Sequence, residues 1–392
     1  MSLDGSFPRR DFLRRAAMIA ATAGVGPAFV AACSSTASKS GSAVASGGKV
    51  KGGTVNFWSW QGYDLLTEPA VKGWRTANHV GIHSGYVGTH DEITAKFTTG
   101  GGKGVYNLST YEAGYGPFYV SLGIPSALDM SKIPNFAQVY PIFRSGPIFN
   151  RWWHFNGHQW CCPFTWGLQG INYDTARIKA PTSYTELMGP TFKGKIGVTD
   201  DIVAAFVIGA HALGIFNASS LYRPSQVSKI IGFWTQLKKN ARLIIPSYGN
   251  MADLFVAGEI VAATPGWSAV NTFAAQKGDH HVSHVIPSEG AATFCDGFMI
   301  PSQAPDPDVA YAYINEAFSP EAQAQEAEAL VQAVVNPQAL PLMNSATRTL
   351  YPYDQLDTVL TSRAPLEAIP VKVPSGYASF ADWENAWTAF KA

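Results

Sequence analysis

The chain is 392 residues long, with 46% apolar and only 14% charged residues, a profile that supports sizeable folded cores and excludes disorder over most of its length. Twenty-eight basic residues balance 28 acidic ones and no segment carries a long basic run, so the electrostatic footprint of a nucleic-acid binder is missing. Eleven tryptophans and 16 tyrosines form a large aromatic supply for a binding site.

Residues 8–14 read Pro-Arg-Arg-Asp-Phe-Leu-Arg, and an apolar run from Ala16 to Ala32 follows, broken by Gly24, Gly26 and Pro27. That run is too short and too interrupted to span a membrane, but it suits the apolar region of an export signal. The Arg-Arg-x-Phe-Leu order resembles a twin-arginine signal. Val30-Ala31-Ala32-Cys33 resembles a lipobox, which implies lipidation of Cys33 and removal of residues 1–32. The remaining chain carries 24 basic and 26 acidic residues. Residues 33–51 are rich in Ser and Gly and read as a flexible tether, so the expected arrangement is a body anchored outside the cytoplasmic membrane, in the periplasm or at the cell surface.

Thr54 to Trp60 alternates like a strand, and Asp64 to Trp74 has helical spacing. A second helix is expected from Asp91 to Thr98, ended by the glycines at 100–104, with a strand from Val105 to Thr110. The glycine run lacks the spacing of a phosphate loop and reads as a turn. Gly194 to Thr199 is a further strand, after which Asp200 and Asp201 stand at the start of a helix over Ile202 to Leu213, one to cap it and the other free to face a ligand. Strands are expected at Glu259 to Thr264 and Val282 to Ile286, and helices at Asp308 to Phe318 and Pro320 to Val335. Alternation of this kind means α/β, with sheets covered on both faces. Cys161 and Cys162 are too close for an unstrained disulfide, and with Cys295 they read as small core residues.

Several stretches then coincide in order and spacing. They are Asn56-Phe-Trp-Ser-Trp-Gln-Gly-Tyr63, Leu122 to Asp129 with Ser131 to Asn135, Pro163-Phe-Thr-Trp-Gly167, Val198-Thr-Asp-Asp201, Ile286-Pro-Ser-Glu-Gly290 and Asp296-Gly-Phe-Met-Ile-Pro301. Over nearly the whole mature chain the sequence resembles the bacterial periplasmic spermidine/putrescine-binding proteins, the substrate-binding components of polyamine ABC importers. The resemblance implies a two-lobed type II periplasmic binding protein fold with ligand in the cleft between lobes. By analogy one lobe takes 52–167 with 295–340 and the other 168–294 with 341–392. It further implies a monomer that works with ABC permease subunits, needs no cofactor or metal and is not an enzyme.

A cleft for alkyl amines needs aromatic faces and carboxylates. The resemblance carries ligand contact to Trp60, Tyr63, Asp201, Trp267 and Asp296, with Phe294 standing where the family has Trp; Trp58 is assigned to packing. Glu112 aligns with a hydroxyl-bearing contact, Gln332 falls near a family Tyr, and Ala204 replaces a family Glu. A lost acid in one lobe and a gained acid in the other point to a short organic amine. Within the same fold the alternatives are ferric iron, another amine or an anion. A secreted hydrolase is the alternative outside it, but no GxSxG or HExxH is present, and His280-His281-x-x-His284 enters a strand where the three cannot share a face.

Overall fold

The computed structural model describes residues 50, 52–87 and 89–392, so Cys33, the signal and most of the tether lie outside the described residues. β1 (Gly53–Ser59) pairs in parallel with β2 (Val80–Tyr86). The helix between them, α1 (Pro69–Asn78), starts later than its spacing suggests, because Pro69 fixes its first turn and the chain from Gln61 to Leu66 is consumed by turns. α2 (His90–Thr98) begins one residue early, capped by the Thr89 hydroxyl on the Glu92 amide.

The expected strand from Val105 to Thr110 is displaced to β3 (Ser109–Glu112). Asn107 explains the shift: its side chain accepts from the Asn56 amide and donates to the Thr54 carbonyl, standing in for ladder bonds before the strand begins. A short hairpin, β4 (His154–Phe155) with β5 (His158–Gln159), precedes the long β6 (Cys162–Asp174). β6 is buried at 12 of its 13 positions, as expected of a strand covered on both faces.

β7 (Ile196–Thr199) leads into α3 (Ile202–Ala212). α4 (Pro224–Lys238), β8 (Ala241–Ile245), α5 (Tyr248–Val256), β9 (Ala262–Trp267) and β10 (Val282–Val285) follow. Next come β11 (Ala292–Met299), α6 (Pro307–Ala317) and α7 (Pro320–Leu330). α7 stops short of Val335 because Val331 turns left-handed and the β-branched residues beyond it pair with β6 as β12 (Ala333–Val334). α8 (Phe380–Lys391) closes the chain.

One eight-stranded mixed sheet runs β3-β11-β6-β9-β7-β8, with β10 and β12 also on β6. Two large cores flank it. The first gathers Val55, Phe57, Tyr111, Trp153, Trp166 and Phe298, and residues from Tyr351 to Ile369 pack into it. The second gathers Ile196, Phe206, Trp234 and, from α8, Trp383 and Trp387. β6 and β11 contribute side chains to both, so these two antiparallel strands are the continuous connection between lobes. Cys161, Cys162 and Cys295 are fully buried and unbridged.

Candidate functional site

Just past the end of β1, the buried Tyr63 hydroxyl donates to Asp296 Oδ2 at 2.8 Å and accepts from Gln332 Nε2 at 3.2 Å. Gln332 is itself fixed by the Thr165 hydroxyl at 2.8 Å. The antiparallel register of β3 with β11 sets Glu112 directly opposite Asp296, which brings two acidic side chains together across one pair of strands. Glu112 Oε2 lies 3.3 Å from His90 Nε2. The His90 ring stacks on Tyr115 at 3.7 Å and meets the edge of Trp60 at 5.1 Å. Asp296 Oδ1 and Glu112 Oε1 are buried without a hydrogen-bond partner.

The second lobe contributes Asp201. The sequence leaves open which of the two aspartates caps the helix; Asp201 does, and it also accepts bonds from outside the helix. One of its oxygens caps α3 through the Ala204 amide at 3.2 Å, and the other accepts from Gln169 Nε2 at 2.7 Å and from the Tyr248 hydroxyl at 2.8 Å. Asp200 instead turns to Trp387 and Lys391.

Trp267 is in register with Gln169 and packs edge-on against Tyr248 at 5.4 Å and Phe294 at 5.8 Å. Phe294 can lie there because its cross-strand partner is Gly167; a Cβ at that position would sit 2.4 Å from the Phe294 ring and 2.9 Å from Trp267 Nε1. Trp58 is spent on packing against Tyr106 and Lys96.

Burial, then the charge of Glu112, pushes the Asp296 carboxyl up to about 8, and the Tyr63 donor offsets only part of this. Asp201 is raised by burial and, to a smaller degree, by Glu112, against the lowering effect of its donors. A fourth acid belongs with these three. Glu367 is 3% exposed, its Oε1 is unpartnered, and its pKa is held well above the usual range by burial, Asp201, Glu112 and Asp296. Among the described residues no lysine or arginine pairs with any of the four; Glu112 has His90 alone. The Tyr115 ring stands 6.2 Å from Phe380 of α8, and Arg151 donates to the Ala218 carbonyl, so the two lobes are apposed around this group.

The structure thus brings Trp60, Tyr63, Glu112, Asp296 and Gln332 together on the first lobe and Asp201, Trp267 and Phe294 at the crossing strands and second lobe. His90, Gln169, Tyr248 and Glu367 were missed. Such a site offers acidic groups and aromatic faces and, among the described residues, no paired lysine or arginine. It lacks the nucleophile-and-base arrangement of a hydrolase.

Residues 76–346, more than half of the chain, match the family described as bacterial extracellular solute-binding protein. The chain belongs to that family. Its members are solute-binding components of transporters, not enzymes. A spermidine/putrescine-binding periplasmic protein of Escherichia coli K12 is 26% identical over 306 residues, covering 76% of this chain and 83% of that protein. A putrescine/agmatine-binding protein of Pseudomonas aeruginosa is 21% identical over 339 residues, 82% of this chain and 88% of that one. The crystal structure of a Streptococcus pneumoniae spermidine/putrescine ABC transporter substrate-binding protein superposes with a TM-score of 0.67 at 20% identity, over 86% of this chain and 98% of that one. The fold of this solute-binding protein is the two-lobed periplasmic binding protein fold.

Proposed function

We propose that this solute-binding protein captures a short polyamine, a di- or triamine, in the cleft between its lobes and delivers it to the permease subunits of an ABC importer. The observation that carries this reading is the gathering of two buried carboxylates, Asp296 and Glu367, and two partly buried ones, Glu112 and Asp201, near Trp60, Tyr63, Trp267 and Phe294, with no lysine or arginine among the described residues paired to them. An ammonium group satisfies unpartnered carboxylate oxygens by charge-assisted hydrogen bonds, and the aromatic faces accept both the methylenes and the charge. An anion finds nothing to pair with here except His90, and ferric iron finds Tyr63 and Tyr248 already committed to Asp296 and Asp201. The ligands named for the two curated relatives, spermidine, putrescine and agmatine, agree with this chemistry.

The export signal and Cys33 complete the proposal: a monomeric lipoprotein tethered outside the cytoplasmic membrane. Calorimetry of the mature protein against putrescine, spermidine, agmatine, a neutral amino acid and ferric citrate tests the ligand class. Saturable binding of at least one amine, and of none of the others, is expected; binding of the ferric complex or of an anion with no amine refutes it. Cys33→Ala should move the exported protein from the membrane to the soluble fraction, and an unchanged distribution refutes the anchor.

A further inference from the structure

His90 opens α2, and both its backbone and its ring are held. The Thr89 hydroxyl caps the helix, and the His90 carbonyl accepts from the Thr94 hydroxyl at 3.0 Å. The imidazole lies flat on Tyr115, with ring centres 3.7 Å and planes 15° apart, and meets the Trp60 ring edge-on at 5.1 Å. The Tyr119 hydroxyl reaches both the His90 carbonyl, at 3.2 Å, and Nδ1, at 3.1 Å, while Nε2 stands 3.3 Å from Glu112 Oε2. An imidazole carrying its proton on Nε2 alone fits both contacts, donating to the carboxylate and accepting from the hydroxyl, so the arrangement needs no charge on the ring.

What surrounds this ring is the chemistry that recognises a cation. An aromatic face, a second aromatic ring beside it and a carboxylate within hydrogen-bond reach are the groups an ammonium uses. The walls are closely built: Tyr115 and Tyr119 are buried, and the turn that carries Tyr115, Ala113–Tyr115, is backed at Gly114, where a Cβ would meet the Glu367 carbonyl oxygen at 2.7 Å. The β3–β11 register sets Glu112 opposite Asp296, so this box adjoins the Tyr63–Asp296 pair. His90 takes its Tyr115 face and Glu112 Oε2. Of that carboxylate only Oε1, buried and unpartnered, is left over.

We propose that His90 is a specificity-determining residue: its imidazole fills an aromatic and acidic box beside Asp296 and so denies a longer polyamine the place of one of its amines. This rests on the reading of the protein as an amine-binding protein and concerns which amines it accepts. The residue acts by occupancy. A diamine held at Asp296 does not need the box, whereas a triamine that extends past Asp296 toward Glu112 runs into the ring. Length selection then lies with a side chain of α2, outside the strands that carry Glu112 and Asp296.

The test measures putrescine and spermidine affinities by calorimetry in wild type, His90→Ala, His90→Phe and the double variant His90→Ala with Glu112→Gln. His90→Ala should raise the ratio of spermidine to putrescine affinity at least tenfold, and adding Glu112→Gln should cancel that gain. His90→Phe, which keeps a ring on Tyr115, should leave the ratio within threefold of wild type. A merely structural residue would change both affinities in parallel and leave the ratio where it was. Where circular dichroism finds His90→Ala unfolded, His90→Asn, which removes the ring and keeps a polar group at the start of α2, carries the same expectation. An unchanged ratio in the folded variant, an equal shift in His90→Phe, or a gain that survives Glu112→Gln overturns the assignment while leaving the amine reading intact. Wild-type protein that binds neither amine overturns both.

Discussion

On the proposed function, Asp296 makes amine capture a proton-exchange reaction. Burial and Glu112 hold its carboxyl at about 8, so at pH 6 it is protonated, and a protonated acid gives an ammonium group no counter-charge. A ligand whose amines titrate near 10 stays cationic throughout, so binding at pH 6 must expel the Asp296 proton. The ionised fraction rises from about 1% at pH 6 to about half at pH 8, an affinity gain of about 50-fold or about 2.3 kcal/mol. Glu367, raised as well, makes one proton the lower bound. Calorimetry with putrescine at pH 6, 7 and 8, in two buffers of different ionisation enthalpy, reads both the affinity and the protons released. Asp296→Asn should bind weakly and lose the slope due to this residue; what slope survives belongs to neighbouring acids that burial also raises, Glu367 and Glu326. Equal affinity at pH 6 and 8 in the wild type, with no buffer-dependent enthalpy, would refute the reasoning.

Linkage gives the same residue a stability signature of definite sign. Its folded pKa exceeds the unfolded value of about 3.9, so the folded state binds the extra proton and stability is lost as pH rises from about 4 through 8. Between pH 5 and 7 the ligand-free wild type should lose up to about 3 kcal/mol relative to Asp296→Asn in urea melts, and parallel pH profiles would contradict this. Gly167→Ala should cost about 1–3 kcal/mol of stability through overpacking against Phe294 and should weaken amine binding with it; a neutral substitution would show that the ring lies elsewhere. Trp267→Ala should weaken the amine by about 1–3 kcal/mol and Trp267→Phe by much less, so equal losses in the two variants would remove the stacking role from that ring.

Local signals place Trp60 and Tyr63 at a strand end and Asp201 at a helix start, but the candidate role of each, and of Asp296, comes only from the resemblance of the surrounding motifs to a family. Strand ends were less legible where side chains replace backbone partners, as Asn107 does before β3, or where one left-handed residue, Val331, ends a helix whose composition would carry it further. His90, just before the helix expected from Asp91, gave no signal, since neither its stack on Tyr115 nor its contact with Glu112 has a sequence period. Glu367 was invisible for a different reason: its position depends on a backbone bridge to Thr293, far away in the chain, in a segment without helix or strand spacing. Tyr248 and Gln169 were hidden likewise, because what matters is their convergence on one oxygen of Asp201.

The double duty of Asp201 bears on how readily this scaffold can change its cargo. A helix start carries roughly half a positive charge and invites anions. In this protein the start of α3 lies at the proposed site, and a single carboxylate at the cap, Asp201, reverses its sign. Serine or asparagine would cap α3 nearly as well, leaving the fold in place and exposing the native polarity of the helix. A lineage carrying this architecture could therefore move from cationic to anionic nutrients by drift at a cap, followed by loss of Glu367 and Asp296, without rebuilding a lobe. On the proposed function, preference for positive solutes is an overlay on the scaffold and not a property of it.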